Sequence, residues 1–295
     1  GLTIVAMGTS CPELAVSVSD SISTLINGGN ANVAIGNVVG SNICNLLLVL
    51  GASCLFTPII VKKSICKKEY PFLIGISILL VIFVIFFGLN SFVGEYVVTR
   101  IEGIIFVLLI GVYIYLLIKS NKNNNEQINE EVSEIKEIKL WKSIILVIVG
   151  CAGIIFGGEA VVFGAKGIAL EISDAAHLDH DLAEALIGLT IVAVGTSLPE
   201  LVTSVVASKK GQNELALGNV IGSNIFNTLF VLGISATVNP LTSGSQIVVD
   251  VIFMLVVTLL VFVFALKGKI GKVHGYILLC LYLGYLAYLV TRTII

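Results

Sequence analysis

Two copies of one helix-pair sequence occur in this 295-residue chain, and they constrain its fold more than any other feature. Residues 1–22 match residues 188–209 at 15 of 22 positions, and residues 32–53 match residues 214–235 at 14 of 22. Each copy contains the same two segments in the same order. Identity at this level is too high to be accidental, so the chain is predicted to consist of two related halves.

The composition places both halves in a membrane. Hydrophobic residues make up 57% of the chain and charged residues only 12%, whereas a soluble domain is about a quarter charged. Because one membrane-spanning helix needs about 20 apolar residues, the apolar runs predict an all-α polytopic membrane protein without a large soluble catalytic domain. The nine predicted helices cover residues 1–26, 31–56, 71–89, 96–118, 141–165, 185–208, 214–238, 246–266 and 273–292.

Lysine and arginine are distributed very unevenly between the two sides of this layout, and cytoplasmic loops carry the excess in membrane proteins. One side has 14 of them, and the other has only Arg100, Lys166 and Arg292. The polar segment 119–140 lies on the rich side and is predicted to be a cytoplasmic linker between the halves 1–118 and 141–295. Because mixed charge runs usually face water, we interpret it as a solvated connector rather than a regulatory ion site. The 14 residues are Lys62, Lys63, Lys67, Lys68, Lys119, Lys122, Lys136, Lys139, Lys142, Lys209, Lys210, Lys267, Lys269 and Lys272.

The same topology makes the two repeats antiparallel. The helix with the sequence G-T-S-x-P-E starts on the cytoplasmic side in the first copy and on the outer side in the second. Inverted repeats are typical of secondary transporters, in which discontinuous helices from both halves hold the substrate near the midplane. The helix at 141–165 precedes the second repeat without a counterpart before the first. We therefore expect an inverted-repeat fold with nine of ten helices present and the first helix missing.

Two glutamates, Glu13 and Glu200, lie about halfway along apolar helices at equivalent places in the repeats. An ionisable group at that depth is costly and indicates a functional site. Two neighbouring carboxylates repel each other unless a cation lies between them, and their charge balances one divalent ion such as Ca²⁺. The alternative is a pair of protonated or interface-facing glutamates.

Further oxygen atoms surround each glutamate in the sequence. Hydroxyl residues lie four positions before and after it, on the same helical face. A proline precedes each glutamate directly, and its missing N–H opens the helix and frees a carbonyl that could bind a cation. The hydroxyl residues are Thr9, Ser17, Thr196 and Ser204, and the prolines are Pro12 and Pro199.

The second block of each repeat also carries polar residues four apart, with Ser41 and Asn45 matching Ser223 and Asn227. Helix packing is the alternative interpretation, because hydroxyls, amides and small-xxx-small glycine pairs are common between membrane helices. The symmetric donors are all hard oxygen atoms, which favours Na⁺, Ca²⁺ or Mg²⁺ over transition metals. The six scattered cysteines are expected to be small buried apolar residues.

The two repeated motifs resemble the alpha-repeats of the calcium/cation antiporter superfamily. The first is G-T-S-x-P-E at 8–13 and 195–200, and the second is G-N-V-x-G-S-N-I-x-N at 36–45 and 218–227. The most similar group is the prokaryotic sodium/calcium exchanger-like proteins. The resemblance implies a ten-helix antiporter that exchanges Na⁺ for Ca²⁺ by alternating access. It also implies a shared ion site, with carboxylates of Glu13 and Glu200, hydroxyls of Thr9, Ser10, Thr196, Ser197, Ser41 and Ser223, amides of Asn45 and Asn227, and carbonyls of Ala6 and Ala193.

The chain departs from some members of this superfamily at Asn227, where they have Asp. Because that acid is associated with K⁺ use, asparagine favours potassium independence.

The sequence therefore predicts a Na⁺/Ca²⁺ exchanger in the plasma membrane of a prokaryotic cell, with Ca²⁺, Na⁺ and the bilayer as its partners. A proton-coupled Ca²⁺ or cation antiporter is the nearest alternative, because the same glutamates could titrate. A cation channel or an intramembrane enzyme is less compatible with the repeats, and neither a nucleophile–base pair nor a cofactor is predicted. A formal net charge of −2 argues against a nucleic-acid partner. Stoichiometry, direction of transport and oligomeric state stay open.

Overall fold

The computed structural model describes residues 2–28, 32–87, 89–90, 95–124 and 193–294, together with 141–142, 145–146, 149–150, 152–153, 156–157 and 164. Most of the predicted helix at 141–165 and most of the predicted linker at 119–140 therefore lie outside the described residues. The described part is helical almost throughout, which confirms the all-α membrane fold.

The helices follow the order of the two repeats. The first half contains α1 (Leu2–Thr9), α2 (Cys11–Asn27), α3 (Asn32–Cys44), α4 (Leu50–Phe56), α5 (Tyr70–Ile82) and α6 (Arg100–Asn124). The second half contains α7 (Ala193–Thr196), α8 (Leu198–Lys209), α9 (Asn213–Phe226), α10 (Leu232–Val238), α11 (Gln246–Leu266) and α12 (Lys272–Ile294). Wider π-helical turns extend α5 on both sides, at Ile65–Glu69 and Phe83–Phe87, and join α3 to α4 at Asn45–Val49 and α9 to α10 at Asn227–Val231.

Six continuous helical stretches of the described residues are long and apolar enough to cross a membrane. Two of them, Val33–Phe56 and Asn213–Val238, are largely buried inside the protein, whereas the other four expose much of their apolar surface. Leu108 on α6 and Leu283 on α12 illustrate that outer surface. The inner pair carries the second block of each repeat, so the repeated polar residues lie in the core. The outer four stretches are Ile65–Phe87, Arg100–Lys119, Gln246–Leu266 and Lys272–Arg292.

The single helices predicted at 1–26 and 185–208 are wrong in one shared respect, because each described helix is interrupted before its glutamate. The break lies at Ser10, with φ −87° and ψ 10°, and at Ser197, with φ −88° and ψ 4°. The residue two positions later is Pro12 or Pro199, which lacks the N–H that would continue the helix. The opening predicted from the prolines is therefore confirmed in both repeats.

Two other predicted boundaries differ from the structure. The helix predicted at 71–89 begins at Ile65, because the long side chains of Lys67 and Lys68 can reach the polar interface from its first turns. The helix predicted at 96–118 begins at Arg100 and continues to Asn124. Its start is fixed by Glu102, whose Oε2 accepts a 2.6 Å hydrogen bond from the Thr99 backbone N–H as in a capping box.

Short antiparallel strands connect the halves at both ends of the helices. At one end β1 (Ile59–Ile60) pairs with β5 (Lys269–Ile270). At the other end β2 (Leu89–Asn90) pairs with β3 (Glu95–Val98), and β3 pairs with β4 (Leu241–Ser243). Lysine residues of the predicted cytoplasmic side adjoin β1 and β5, and Arg100 follows β3.

Contacts near the helix ends confirm that the repeats run in opposite directions. Asn239 Nδ2 donates to Thr24 Oγ1 at 3.0 Å, which places the end of α2 beside the end of α10. Ser208 Oγ donates to the Ser53 carbonyl at 2.8 Å, which places the end of α8 beside α4. Since Asn239 leads into β4 and Ser53 precedes β1, α2 and α8 end at opposite ends of the molecule.

An ion pair between the buried carboxylate of Asp250 and the partly buried guanidinium of Arg292 joins the helices α11 and α12. Arg292 Nη1 on α12 donates to both carboxylate oxygens of Asp250 on α11, at 2.9 and 2.8 Å. The hydroxyl of Tyr285 donates to Asp250 Oδ1 at 3.2 Å. Removing one partner leaves a buried charge without its counter-ion, which costs far more than losing an exposed pair.

We therefore expect Arg292→Gln to lower the free energy of unfolding by about 3 kcal/mol. Lys62→Gln is the matched control, because Lys62 pairs with Glu214 at an exposed position where the loss should stay within about 1 kcal/mol. Thermal unfolding of the purified variants in one detergent would compare them. Equal losses of stability in the two variants would contradict the assignment of Asp250–Arg292 as a stabilising buried pair.

Candidate cation site

The structure brings the two predicted glutamates together. Glu13 lies in the first turn of α2 and Glu200 in the first turn of α8, and both side chains are 0% exposed. Their carboxylates are close enough for electrostatic repulsion to act between them. Each lies directly after a helix break, where backbone N–H groups at the start of a helix favour negative charge. The arrangement is therefore a buried pair of acids on opposing repeats.

Glu200 is only partly hydrogen-bonded. Ser10 Oγ donates to Glu200 Oε1 at 2.9 Å, and Ser223 Oγ lies 3.4 Å from the same oxygen. Oε2 is buried and has no hydrogen-bond partner. One oxygen of this carboxylate is therefore available to a cation, with two hydroxyls of the predicted set beside the other.

The Glu13 carboxylate has fewer hydrogen bonds than that of Glu200, because both its oxygen atoms are buried without a hydrogen-bond partner. The hydroxyls of Ser41 and Thr196 lie next to the carboxylate, and their oxygen atoms are 3.4 Å apart. Buried acids are normally paired or hydrogen-bonded, since an isolated buried charge is costly. A carboxylate left in this state indicates a place for a positively charged ligand.

The Ala6 carbonyl belongs to the same polar group. It accepts the Ser10 backbone N–H at 3.2 Å, and it lies 3.2 Å from Thr9 Oγ1 and 3.4 Å from Ser223 Oγ. The first repeat therefore supplies a carbonyl and two hydroxyl residues, and Ser223 completes the group from the second. Of the equivalent predicted residues, Ala193 begins α7 and Ser197 is buried at the break before α8.

The two predicted amide residues occupy equivalent and unusual positions. Asn45 and Asn227 are each the first residue of a π-helical turn in the middle of an inner helix. Both side chains are 0% exposed, and neither their oxygen nor their nitrogen atoms have hydrogen-bond partners. Such turns occur frequently at functional sites. Nothing in the sequence periodicity indicated them.

A second pair of asparagines, which the sequence analysis did not predict, donates hydrogen bonds to the helices that carry the glutamates. Asn37 Nδ2 donates to Ser17 Oγ at 3.0 Å and to the Glu13 carbonyl at 3.3 Å. Asn219 Nδ2 donates to Ser204 Oγ at 3.1 Å and to the Glu200 carbonyl at 3.5 Å. The sequence could have indicated this pair, because Asn37 and Asn219 occupy the same position of the repeated G-N-V motif.

A third matched pair, Asn42 and Asn224, links the inner helices directly. Asn224 Nδ2 donates to the Asn42 carbonyl at 3.1 Å, and Asn42 Nδ2 donates to Thr228 Oγ1 at 2.9 Å. These contacts cross from one repeat to the other at the level of the predicted amide ligands. The inner helices are therefore held in register by polar bonds, as the packing interpretation anticipated for part of the motif.

The donor chemistry of the cluster is that of a hard cation. It consists of carboxylate, hydroxyl, amide and carbonyl oxygen atoms, which suit Na⁺, Ca²⁺ or Mg²⁺. Within the described ranges no group of three or more His, Cys, Asp or Glu residues could hold a metal ion. The roles of the individual residues as ion ligands stay predictions.

The cysteines only partly follow the prediction of buried apolar residues. Cys44 and Cys54 are buried, as predicted. Cys11 and Cys280 are exposed, so that prediction is wrong for them. A membrane helix can present a weakly polar thiol outward, because the surrounding hydrocarbon does not favour burial as water does.

Comparison with known proteins extends over both repeats. The family model described as sodium/calcium exchanger protein matches residues 1–119 and 142–291. The putative antiporter CaxA from Alkalimonas amylolytica is 36% identical, over 97% of this chain and 85% of its own length. The sodium/calcium exchanger MaX1 from Methanosarcina acetivorans is 31% identical, over 98% of this chain and 87% of its own. A solved structure of the sodium-calcium exchanger NCX_Mj matches with a TM-score of 0.75 at 32% identity, covering 97% of this chain and 85% of that chain.

Proposed function

The chain belongs to the sodium/calcium exchanger family, and from this membership we propose that it exchanges Na⁺ for Ca²⁺ across the plasma membrane of a prokaryotic cell. It is an integral membrane protein, and its relatives are transporters rather than enzymes. The observation that carries the proposal is the pair of buried, incompletely hydrogen-bonded carboxylates that opposing repeats bring together.

Ca²⁺ is the divalent ion that fits this pair best. Two carboxylates neutralise its charge, and the flexible set of six to eight oxygen ligands that Ca²⁺ accepts can be drawn from several helices. The hydroxyls of Ser41 and Thr196 beside Glu13, and of Ser10 and Ser223 beside Glu200, supply the neutral donors. Mg²⁺ demands a stricter octahedral geometry and releases its water reluctantly.

Na⁺ is supported by the neutral donors around Ala6. The Ala6 carbonyl and the Thr9 and Ser223 hydroxyls lie within 3.5 Å of one another. Such a group holds a monovalent cation without requiring a full carboxylate charge. Because Ser223 also contacts Glu200, an ion bound here would share a ligand with the Ca²⁺ position and compete with it.

Exchange follows from the electrostatics of this site. An empty site leaves two charged acids in a medium of low dielectric constant, which is unfavourable. A site loaded with Ca²⁺ or with Na⁺ is closer to neutral, so the bundle should change its accessible side more readily when an ion is bound. Each ion then crosses only in exchange for another.

The proton-coupled alternative uses the same two glutamates with H⁺ in place of Na⁺. The neutral donors around Ala6 favour Na⁺, because a proton needs no such coordination. Either mode is saturable and depends on a counter-ion, which distinguishes both from a channel.

The decisive test is ⁴⁵Ca²⁺ uptake into proteoliposomes containing the purified protein. We expect an outward Na⁺ gradient to drive uptake and an imposed pH gradient of equal size to drive little. Uptake that responds only to the pH gradient would select the proton-coupled antiporter instead. Ca²⁺ flux of equal size with no counter-ion present would contradict exchange altogether.

A further inference from the structure

Nine lysines lie at the end of the molecule that carries β1 and β5. They belong to three segments of the chain, 57–72, 205–216 and 264–276, which together contain two acidic residues, Glu69 and Glu214. All nine lysines are exposed. The members of this lysine cluster are Lys62, Lys63, Lys67, Lys68, Lys209, Lys210, Lys267, Lys269 and Lys272.

Contacts between distant parts of the chain bring the three segments together. The first and third segments meet where β1 pairs with β5, with Ile60 opposite Lys269. The segment 205–216 joins them through the ion pair between Glu214 and Lys62. The lysine cluster therefore combines positive charges from both halves of the chain.

Exposed apolar side chains lie among these lysines. Ile60 is 59% exposed, and its side chain lies on the same face of the strand pair as that of its cross-strand partner Lys269. Phe56 is 50% exposed, and Lys209 Nζ lies 4.2 Å from the centroid of its ring. Exposed cations beside exposed apolar side chains suit a ligand that is itself amphiphilic. Further exposed apolar residues next to the lysines are Leu266, Val273 and Tyr276.

The position of the lysine cluster favours a lipid over a soluble anion. Leu266 ends α11 and Lys272 begins α12, so these lysines lie where two membrane-spanning helices leave the hydrocarbon. Lys67 and Lys68 lie in the first turns of a third membrane-spanning stretch, Ile65–Phe87. Anionic lipid headgroups occupy this level of a bilayer, and clusters of four to eight basic residues beside membrane-spanning helices attract them. A soluble anion would contact the lysines but leave the apolar side chains unused.

We propose that the lysine cluster binds an anionic phospholipid. Lysines on both sides of the β1–β5 pairing hold its phosphate, and the exposed apolar side chains beside them contact its acyl chains. One headgroup then bridges the two halves of the chain. The preference of lysine for the cytoplasmic side accounts for the side on which these residues lie, whereas their convergence from three segments is a property of the fold.

The test is binding of radiolabelled dioleoylphosphatidylglycerol to the purified full chain in a neutral detergent, measured by scintillation proximity. The wild type should bind this lipid at least about tenfold more tightly than dioleoylphosphatidylcholine, whose headgroup has no net charge. Lys267→Gln combined with Lys269→Gln should weaken binding by about tenfold or more, because each lysine adds to the attraction. In the wild type, KCl at about 1 M should also weaken it, because the Debye length falls to about 3 Å.

Lys119→Gln combined with Lys142→Gln is the matched control. It also removes two exposed lysines of the predicted cytoplasmic side, but they lie outside the three segments. This variant should bind the labelled lipid as the wild type does. Lys267→Arg combined with Lys269→Arg keeps both positive charges and should also retain binding.

An equal loss of binding in the two glutamine variants would indicate a general effect of charge and overturn the inference. Equal affinity for phosphatidylcholine would do the same. Displacement of the labelled lipid by inorganic phosphate would assign the lysines to a soluble anion and also contradict the proposal. The headgroup and salt comparisons use the wild type, so they decide the question even where a variant does not fold. Transport is not measured, so a failure of Na⁺-driven Ca²⁺ uptake would count against the proposed function alone.

Discussion

Glu13→Gln and Glu200→Gln should each abolish Ca²⁺ uptake while leaving the protein folded. Each change removes one negative charge from a site that is proposed to balance Ca²⁺ with two. The attraction between two opposite unit charges about 4 Å apart is about 4 kcal/mol at an effective dielectric constant of 20, and it is about twice as large for a divalent ion. We therefore expect Ca²⁺ affinity to fall by at least about a hundredfold, measured as ⁴⁵Ca²⁺ binding and uptake in proteoliposomes.

Glu102→Gln is the control for this chemical change. Glu102 is also a buried glutamate in a membrane-spanning helix, but its carboxylate binds the Thr99 backbone N–H at the start of α6. Glutamine can accept the same hydrogen bond, so uptake should stay near the wild-type rate. Uptake within twofold of wild type in either site variant would contradict the two-carboxylate mechanism.

Gly222→Ala should strongly impair Ca²⁺ uptake through one atomic overlap. A Cβ added at Gly222 would lie 2.9 Å from the Ala6 Cβ, closer than carbon atoms pack. Helix α1 would have to move away from α9, separating Ala6 and Thr9 from Ser223. Overpacking of this kind costs about 1–3 kcal/mol, so we expect roughly a tenfold or greater loss of Na⁺-driven uptake.

A second substitution that removes the overlap should restore the uptake lost in Gly222→Ala. Combining Gly222→Ala with Ala6→Gly removes the other atom of the contact and should restore most of the uptake, apart from the cost of about 1 kcal/mol for glycine within a helix. Gly284→Ala on α12, where an added Cβ meets nothing within 4 Å, should have no effect. A double variant as impaired as Gly222→Ala alone would show that the contact with Ala6 is not the cause.

Much of the site was predictable because the repeat supplied each observation twice. Pro12 and Pro199 predicted the two helix breaks, and the break geometry at Ser10 and Ser197 agrees within a few degrees. The distribution of lysines predicted the antiparallel relation that brings Glu13 and Glu200 together. The effect of the missing proline N–H and the orientation set by the lysines could therefore both be predicted from the sequence alone.

Other features depend on contacts between distant segments and could not be read in the same way. The π-helical turns at Asn45 and Asn227 keep ordinary helical spacing in the sequence. Residues 96–98 were predicted to begin a helix, because their apolar character does not reveal that β4 provides backbone partners. The Asn37 and Asn219 contacts were missed because an amide in a membrane helix suits packing as well as support.

The strand pairs have a mechanical consequence for alternating access. In the part of the chain that the structure describes, one strand pairing joins the halves at each end of the helices, β1 with β5 and β3 with β4. A motion that rocked one half against the other would strain the backbone hydrogen bonds of both strand pairs at once. The described core should therefore behave as a single frame, and the ion path should open and close by movement of helical segments that slide along it.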